Sequence, residues 1–235
     1  ILSGQGYYSG STRKGWGPGD YLSGGYTENP AGKRYNSFKE FFEQRPKGQP
    51  FTFWFGSSDP HRDYTPNTGL LAGMSLDDVV VPEFLPDLQC VRNDMLDYYF
   101  EVERFDRECG QIIAMLEKAG ELDNTIIVMT SDNGMPFPRA KANVYDYGTR
   151  MPLAIRWPEK IKKSTVINDF VSFVDFAPTL LSAAGSEPDP SMSGKSIWPL
   201  FSQPATAAGR DQVFLERERH ANVRKGDLSY PVRAV

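Results

Sequence analysis

Three short segments of this 235-residue chain gather side chains able to hold an anion, a hard cation or a proton. In Ser131-Asp132-Asn133-Gly134 a carboxylate is followed by an amide. The two hard oxygen donors suit Ca2+ or Mg2+, and Gly134 lets the backbone turn sharply away. An Asp-Asn-Gly turn also forms with no ion at all. The next segment, Pro136-Phe137-Pro138-Arg139-Ala140-Lys141-Ala142-Asn143 followed by Tyr145, Asp146, Gly148 and Arg150, places Lys141 eight residues past Asn133. Its prolines stiffen the loop, so an ammonium can fold back towards a metal-bound anion and clamp a sulfate or phosphate ester. A solvated basic loop has the same composition. The third segment, Asp59-Pro60-His61-Arg62, sets one of only two histidines between an acid and a guanidinium. That setting suits general-acid chemistry or anion contact, and it equally describes an ordinary surface histidine. The other histidine, His220, ends Glu216-Arg217-Glu218-Arg219-His220, which reads as a charged edge strand or a solvated loop.

These segments need elements to position them. The apolar run Phe51-Thr52-Phe53-Trp54-Phe55, bounded by Pro50 and Gly56, has the pattern of a buried strand, so Ser57 to Arg62 lies at its C-terminal exit. Ser37 is a fitting N-cap for a short helix through Phe38, Phe41 and Phe42, ended at Arg45-Pro46. Leu88, Val91, Met95, Tyr99, Val102, Phe105, Ile112, Ile113 and Leu116 recur at helical spacing and predict one long amphipathic helix stopped at Gly120. Thr125 to Thr130 predicts a second buried strand leading into Ser131, and helix followed by strand suggests a parallel α/β sheet. Pro152–Trp157 predicts a third strand and Asp169–Ser172 a fourth, with a helix from about Asp175 to Ala184 capped by Gly185. Pro231 to Val235 resembles a strand beginning. Residues 4–32 and 64–86, rich in Gly, Pro, Ser and Asp, read as irregular loop.

The bulk numbers set limits. With 40% hydrophobic and 13% aromatic residues the chain can bury a real core. Lys and Arg number 26 against 30 Asp and Glu, with no basic tract, so nucleic acid is not an expected partner. No apolar run approaches the length of a membrane span. Cys90 and Cys109 fall on the long helix and, about 28 Å apart along it, cannot bridge; both are expected in the core. The opening on Ile1, without Met, basic or apolar leader, and the stop at Val235 lead us to expect a piece of a longer protein.

Thr130-Ser131-Asp132-Asn133-Gly134, the lysine beyond it and Tyr147-Gly148-Thr149-Arg150-Met151-Pro152 resemble the C-terminal half of the sulfatase catalytic domain. Asp59-Pro60-His61-Arg62 and the Pro-Phe-Pro loop are similar to its heparan N-sulfatase (sulfamidase)-like branch. The resemblance runs through nearly the whole chain in order, down to Phe173-Val174-Asp175-Phe176-Ala177-Pro178-Thr179-Leu180. It implies an alkaline-phosphatase-like α/β fold, a mainly parallel sheet sandwiched by helices. Residues 1–200 would belong to the catalytic domain and 201–235 would begin a smaller substrate-lining region. It implies a Ca2+, with Mg2+ as the alternative, held by four oxygen-bearing side chains, two of which match Asp132 and Asn133. In this family a cysteine in Cys-Xaa-Pro/Ala-Xaa-Arg is matured by a separate enzyme to formylglycine, whose hydrate attacks sulfur. Cys90 begins Cys-Val-Arg-Asn-Asp and Cys109 begins Cys-Gly-Gln-Ile-Ile, so neither fits.

By the same resemblance His61 would face the leaving group and Lys141 the sulfate oxygens. Lys14 would match the lysine of a Lys-Xaa-His pair, although Lys14-Gly15-Trp16-Gly17-Pro18 has tryptophan or glycine where the histidine belongs. Arg62, Arg150 and His220 would contact substrate, a sulfated carbohydrate such as N- or O-sulfated glucosamine. A secreted, periplasmic or lysosome-like location follows from the resemblance alone. The rival readings are a phosphoester or phosphonate hydrolase of the same superfamily and a noncatalytic carbohydrate-binding pseudoenzyme. A two-zinc site is not expected, since His61 and His220 are the only histidines.

Overall fold

The computed structural model describes residues 1–16, 20–202, 209–217 and 231–235. They form two compact units, Ile1–Gly120 and Glu121–Val235.

The first unit is built on a three-stranded parallel sheet. Strand β1 (Tyr8–Arg13) lies at its centre, between β2 (Lys33–Tyr35) and β3 (Phe51–Gly56). Neither β1 nor β2 is expected from the apolar pattern, and β1 replaces the loop predicted over residues 4–32. Its Gly10, Ser11 and Thr12 are buried, and at Gly10 a Cβ would meet Phe41 at 2.6 Å and Tyr35 at 2.8 Å. Helix α1 (Phe38–Gln44) crosses from β2 to β3. As expected, the Ser37 hydroxyl caps it by accepting the Glu40 N–H at 3.1 Å. Phe38, Phe41 and Phe42 pack on Phe51 and Phe53, with Phe41 and Phe53 centroids 4.6 Å apart. Phe55, on the same face, stacks on Phe105 at 6.0 Å.

Within residues 64–86 a short helix, α2 (Thr68–Leu71), and a 3-10 turn, Leu76–Asp78, interrupt the expected loop. The buried Asp97 carboxylate accepts the N–H groups of Asn67 and Gly69, each at 2.9 Å. Asp97 belongs to α3 (Gln89–Lys118), the long helix foreseen from its periodicity, which buries Met95, Leu96 and Leu116. Cys90, expected in the core, is exposed near the start of that helix, and Cys109 is half-buried.

In the second unit β4 (Ile127–Thr130) pairs with β5 (Leu153–Arg156) antiparallel, in the register Ile127↔Arg156 to Thr130↔Leu153. The pairing is not parallel because the chain between them holds one helical turn, α4 (Asp146–Thr149), and doubles back; a parallel partner needs a full crossover. The strand expected at Asp169–Ser172 is absent. Phe170 makes a single bridge to Arg210, and a short 3-10 turn, Phe173–Asp175, leads into α5 (Phe176–Ala183). That turn forms because the Asp175 carboxylate accepts the Ser172 N–H at 3.0 Å. Gly185, at φ 75°, ends α5 as foreseen. After α6 (Trp198–Ser202), β6 (Leu215–Arg217) pairs antiparallel with β7 (Val232–Ala234).

Candidate active site

In the second unit β4 delivers the chain to Asp132 and Asn133. The Thr130 hydroxyl donates to the Pro152 carbonyl at 2.8 Å and Ser131 Oγ to the Asn133 carbonyl at 2.8 Å, which fixes the turn. Gly134 must be glycine, since a Cβ there would lie 1.8 Å from the Tyr147 carbonyl oxygen; its N–H donates to the Gly148 carbonyl at 3.3 Å. Gly148 is equally confined, its Cβ position lying 2.3 Å from Asn143 O and 2.5 Å from Ala140 O. Residues 134–148 are therefore a loop closed on itself.

Inside it the Lys141 N–H donates to the Met135 carbonyl at 3.0 Å, which closes the backbone from Met135 to Lys141. Arg139 and Ala142, on either side of Lys141, both stand at φ 64°. Left-handed backbone in non-glycine residues persists only where surrounding contacts enforce it, and it concentrates at functional loops. Arg150, at the end of α4, has a side chain 82% exposed with only a 3.9 Å approach to Asp146.

Asp132 is exposed and Asn133 half-buried. Asn133 Nδ2 donates to Asp132 Oδ1, while Asn133 Oδ1 is buried with no hydrogen-bond partner. A carboxylate beside an orphaned amide oxygen offers two hard oxygen donors, a pair whose chemistry fits Ca2+ or Mg2+. Among the described residues no three His, Cys, Asp or Glu side chains gather to hold a metal ion.

In the first unit β1 and β3 end side by side, Arg13 opposite Gly56. Lys14 follows at once. Its N–H donates to Gly56 O at 3.1 Å, its carbonyl accepts Trp54 Nε1 at 2.9 Å, and a Cβ on Gly56 would strike that carbonyl at 2.2 Å. His61 lies beyond the end of β3, so both candidates sit at the carboxyl edge of a parallel sheet, where ligands bind in open α/β folds. Trp16, where a histidine is expected, packs edge-on against Tyr26 at 6.2 Å.

His61 is exposed, with its N–H donating to Ser58 O at 2.9 Å. Its Nδ1 meets the Arg62 carbonyl, which can only accept, so Nδ1 carries a proton and Nε2 is the nitrogen left to act. Arg62 forms a two-pronged pair with Asp94, at 2.9 and 2.5 Å, and lies 4.7 Å from the Tyr64 ring. Its guanidinium is thus occupied within the fold. His220 lies outside the described residues.

A charged network missed by sequence reasoning braces this edge. Arg104 grips Asp59 at 2.5 and 2.7 Å and Glu101 at 2.7 Å, while Arg13, at φ 52°, grips Glu108 with two bonds of 2.6 Å. The Arg104 hydrogen bonds, partly opposed by burial, lower the Asp59 pKa; burial and then the Asp59 carboxylate raise that of Glu101. The spacing of Glu101, Arg104 and Glu108 along one face of α3 carries the signal, a charged stripe inside an amphipathic helix.

Residues 8–186 match the family model described as sulfatase, and residues 139–234 match that described as N-sulphoglucosamine sulphohydrolase, C-terminal. Human N-sulphoglucosamine sulphohydrolase is 35% identical over 170 residues, 67% of this chain and 32% of that protein. An ulvan-active sulfatase of Formosa agariphila is 40% identical over 117 residues, 50% of this chain and 20% of its own length. An N-acetylglucosamine-6-O-sulfatase of Bacteroides thetaiotaomicron is 42% identical over 111 residues, 46% and 20%. Two solved structures share the fold. One is a protein in complex with its substrate D-glucosamine-2-N,6-O-disulfate (TM-score 0.66, 22% identity, 83% of this chain and 56% of that one). The other is a phosphonate monoester hydrolase from Silicibacter pomeroyi (TM-score 0.66, 21% identity, 79% and 44%). The matched stretches span between a fifth and a third of these curated relatives' length.

Proposed function

Because this chain belongs to the sulfatase family and is similar to its heparan N-sulfatase-like members, we propose that it is part of a hydrolase of sulfuric esters or N-sulfate on sulfated carbohydrate, glucosamine above all. The observation that carries the reading is the buried, unpartnered Asn133 Oδ1 beside the Asp132 carboxylate, at the mouth of a loop that turns Lys141 back. The relatives named for sulfated glucosamine and ulvan support the substrate class.

Asp132 and Asn133 would hold Ca2+, with Mg2+ the alternative. A divalent ion held there would supply positive charge to offset that of the sulfate oxygens. By the family resemblance Lys141 would bind sulfate oxygens as an ammonium, and Lys14 would be a further cation for the same anion. His61, with Nδ1–H committed to the Arg62 carbonyl, would as an imidazolium carry its second proton on Nε2, pass it to the leaving oxygen or nitrogen and be left as the neutral ring. Arg62 keeps that turn in place through Asp94, and the exposed Arg150 is free to reach the substrate. His220, in the region beginning at 201, would contact the sugar. By the family resemblance the nucleophile would be a formylglycine made by a separate maturation enzyme from a cysteine in Cys-Xaa-Pro/Ala-Xaa-Arg, a motif that neither Cys90 nor Cys109 begins.

The test uses the full-length protein, coexpressed with a formylglycine-generating enzyme and supplied with Ca2+. Sulfate release is measured from N-sulfated and O-sulfated glucosamine and from an aryl sulfate, with a phosphonate monoester alongside. Release from the sugars is the expected result. Cleavage of the phosphonate alone transfers the assignment to the phosphonate hydrolases of this fold, and no cleavage of any substrate rejects it.

A further inference from the structure

The backbone of Lys141 is held from both sides. Its N–H donates to the Met135 carbonyl at 3.0 Å, and its carbonyl accepts Asn143 Nδ2 at 3.2 Å. The other end of that amide is held in turn: Asn143 Oδ1 accepts Arg217 Nη1 at 3.4 Å, and the same guanidinium nitrogen donates to the Ala142 carbonyl. Arg217 ends β6, opposite Val232 of β7, far along the chain from the loop it grips. Its side chain is half-buried and its Nε is buried without an acceptor. Among the described residues its hydrogen-bond partners are neutral oxygens. A guanidinium nitrogen withdrawn from water without an acceptor is costly, so the two bonds that Nη1 makes to the loop must offset it.

Arg139 and Ala142, at φ 64°, show that the loop is held in a conformation it would not keep by itself. We propose that Arg217 is a positioning residue for Lys141, fixing through Asn143 and the Ala142 carbonyl the backbone from which the ammonium reaches an oxyanion. The inference rests on the assignment of Lys141 as an anion contact. It adds that the C-terminal β6–β7 pair controls that contact without touching the anion itself.

Inorganic sulfate is the probe, and its affinity for the full-length protein is measured by calorimetry for wild type, R217A, R217K, N143A, K141A and R217A/K141A. Thermal unfolding of each is recorded alongside. R217A and N143A each weaken sulfate binding about tenfold, the scale on which outer supporting residues act. R217K keeps the charge without the two-oxygen reach and stays nearer to R217A than to wild type. In the K141A background R217A changes affinity by no more than about twofold, because the contact it positions is already gone. N143A leaves β6 untouched, so the inference stays open to test if R217A does not fold. Wild-type affinity in both R217A and N143A, losses that multiply in the double variant, or sulfate binding indifferent to K141A each overturn it. Turnover of a sulfate ester by the same wild-type preparation separates the two readings: intact coupling without turnover sinks only the hydrolase assignment.

Discussion

An acceptor oxygen withdrawn from water and left without a hydrogen bond costs about 1–3 kcal/mol, and Asn133 Oδ1 is such an atom. If it is a cation ligand, its removal acts oppositely with and without the ion. Asn133→Ala should leave the ion-free full-length protein as stable as wild type or slightly more so, while the rise in melting temperature on adding Ca2+ requires roughly ten- to a hundredfold more ion. Calcium titrations followed by thermal unfolding read both halves; an N133A variant that loses stability without Ca2+ and responds to it normally makes the asparagine a plain turn residue. His61 is tested through the leaving group. A general acid contributes roughly 10²–10⁴-fold where the leaving group is poor and little where it departs unaided. His61→Ala should therefore slow release from a sulfated sugar by about that factor while sparing an aryl sulfate with an acidic phenol, and equal losses on both would deny the proton-donating role.

Asp175 shows how a single buried charge assembles an element. It is fully buried, accepts the N–H groups of Ser172 and Lys195 at 3.0 and 2.7 Å, and is gripped by Arg210 at 2.9 and 2.5 Å. These bonds start α5 and fasten it to segments 20 and 35 residues away in sequence. Burial pushes its carboxyl pKa up, but Arg210 and the two N–H groups outweigh this and hold it below 3.8. A depressed carboxyl contributes stability that is present above the unfolded value and lost as pH falls through the folded one. Asp175→Asn should cost about 3–5 kcal/mol at neutral pH by leaving Arg210 unpaired, and the gap to wild type should narrow below pH 3.8. Urea unfolding at pH 7 and in acid checks this; a constant gap would mean that the charge is irrelevant. Elements announced by apolar periodicity, such as β3, α3 and β4, were legible in the sequence. Strand β1 was not, because its buried Gly10, Ser11 and Thr12 carry no large apolar side chain to reveal it; at Gly10, Phe41 and Tyr35 leave no room for one. The same holds at the site. Asp132, Asn133 and Lys141 are legible as neighbours in sequence, whereas Arg104 on Asp59 and Arg217 on the Lys141 loop depend on chain returns that no local pattern encodes.

Taken as a whole molecule, the chain offers oxygen donors, ammonium groups and two imidazoles, and two thiols in different surroundings. Cys109 is half-buried, and burial, followed by the nearby Asp106 and Glu108 carboxylates, pushes its pKa up to about 11, so that almost no thiolate exists at neutral pH. Cys90 is exposed near the start of α3, and neither cysteine stands in a Cys-Xaa-Pro/Ala-Xaa-Arg context. A maturation enzyme that reads that motif, as the family resemblance implies, finds no match at either cysteine. Coexpressed with such an enzyme, these 235 residues should show both cysteines as unmodified thiols by mass spectrometry, and an aldehyde-reactive hydrazide should label neither. Iodoacetamide at neutral pH should alkylate Cys90 well before Cys109, since exposure favours the first and the raised pKa suppresses the second. In the full-length protein the C90S/C109S double variant should release sulfate at the wild-type rate. An aldehyde at either position, or loss of turnover in that variant, would place the nucleophile on α3 and overturn its assignment to a cysteine elsewhere.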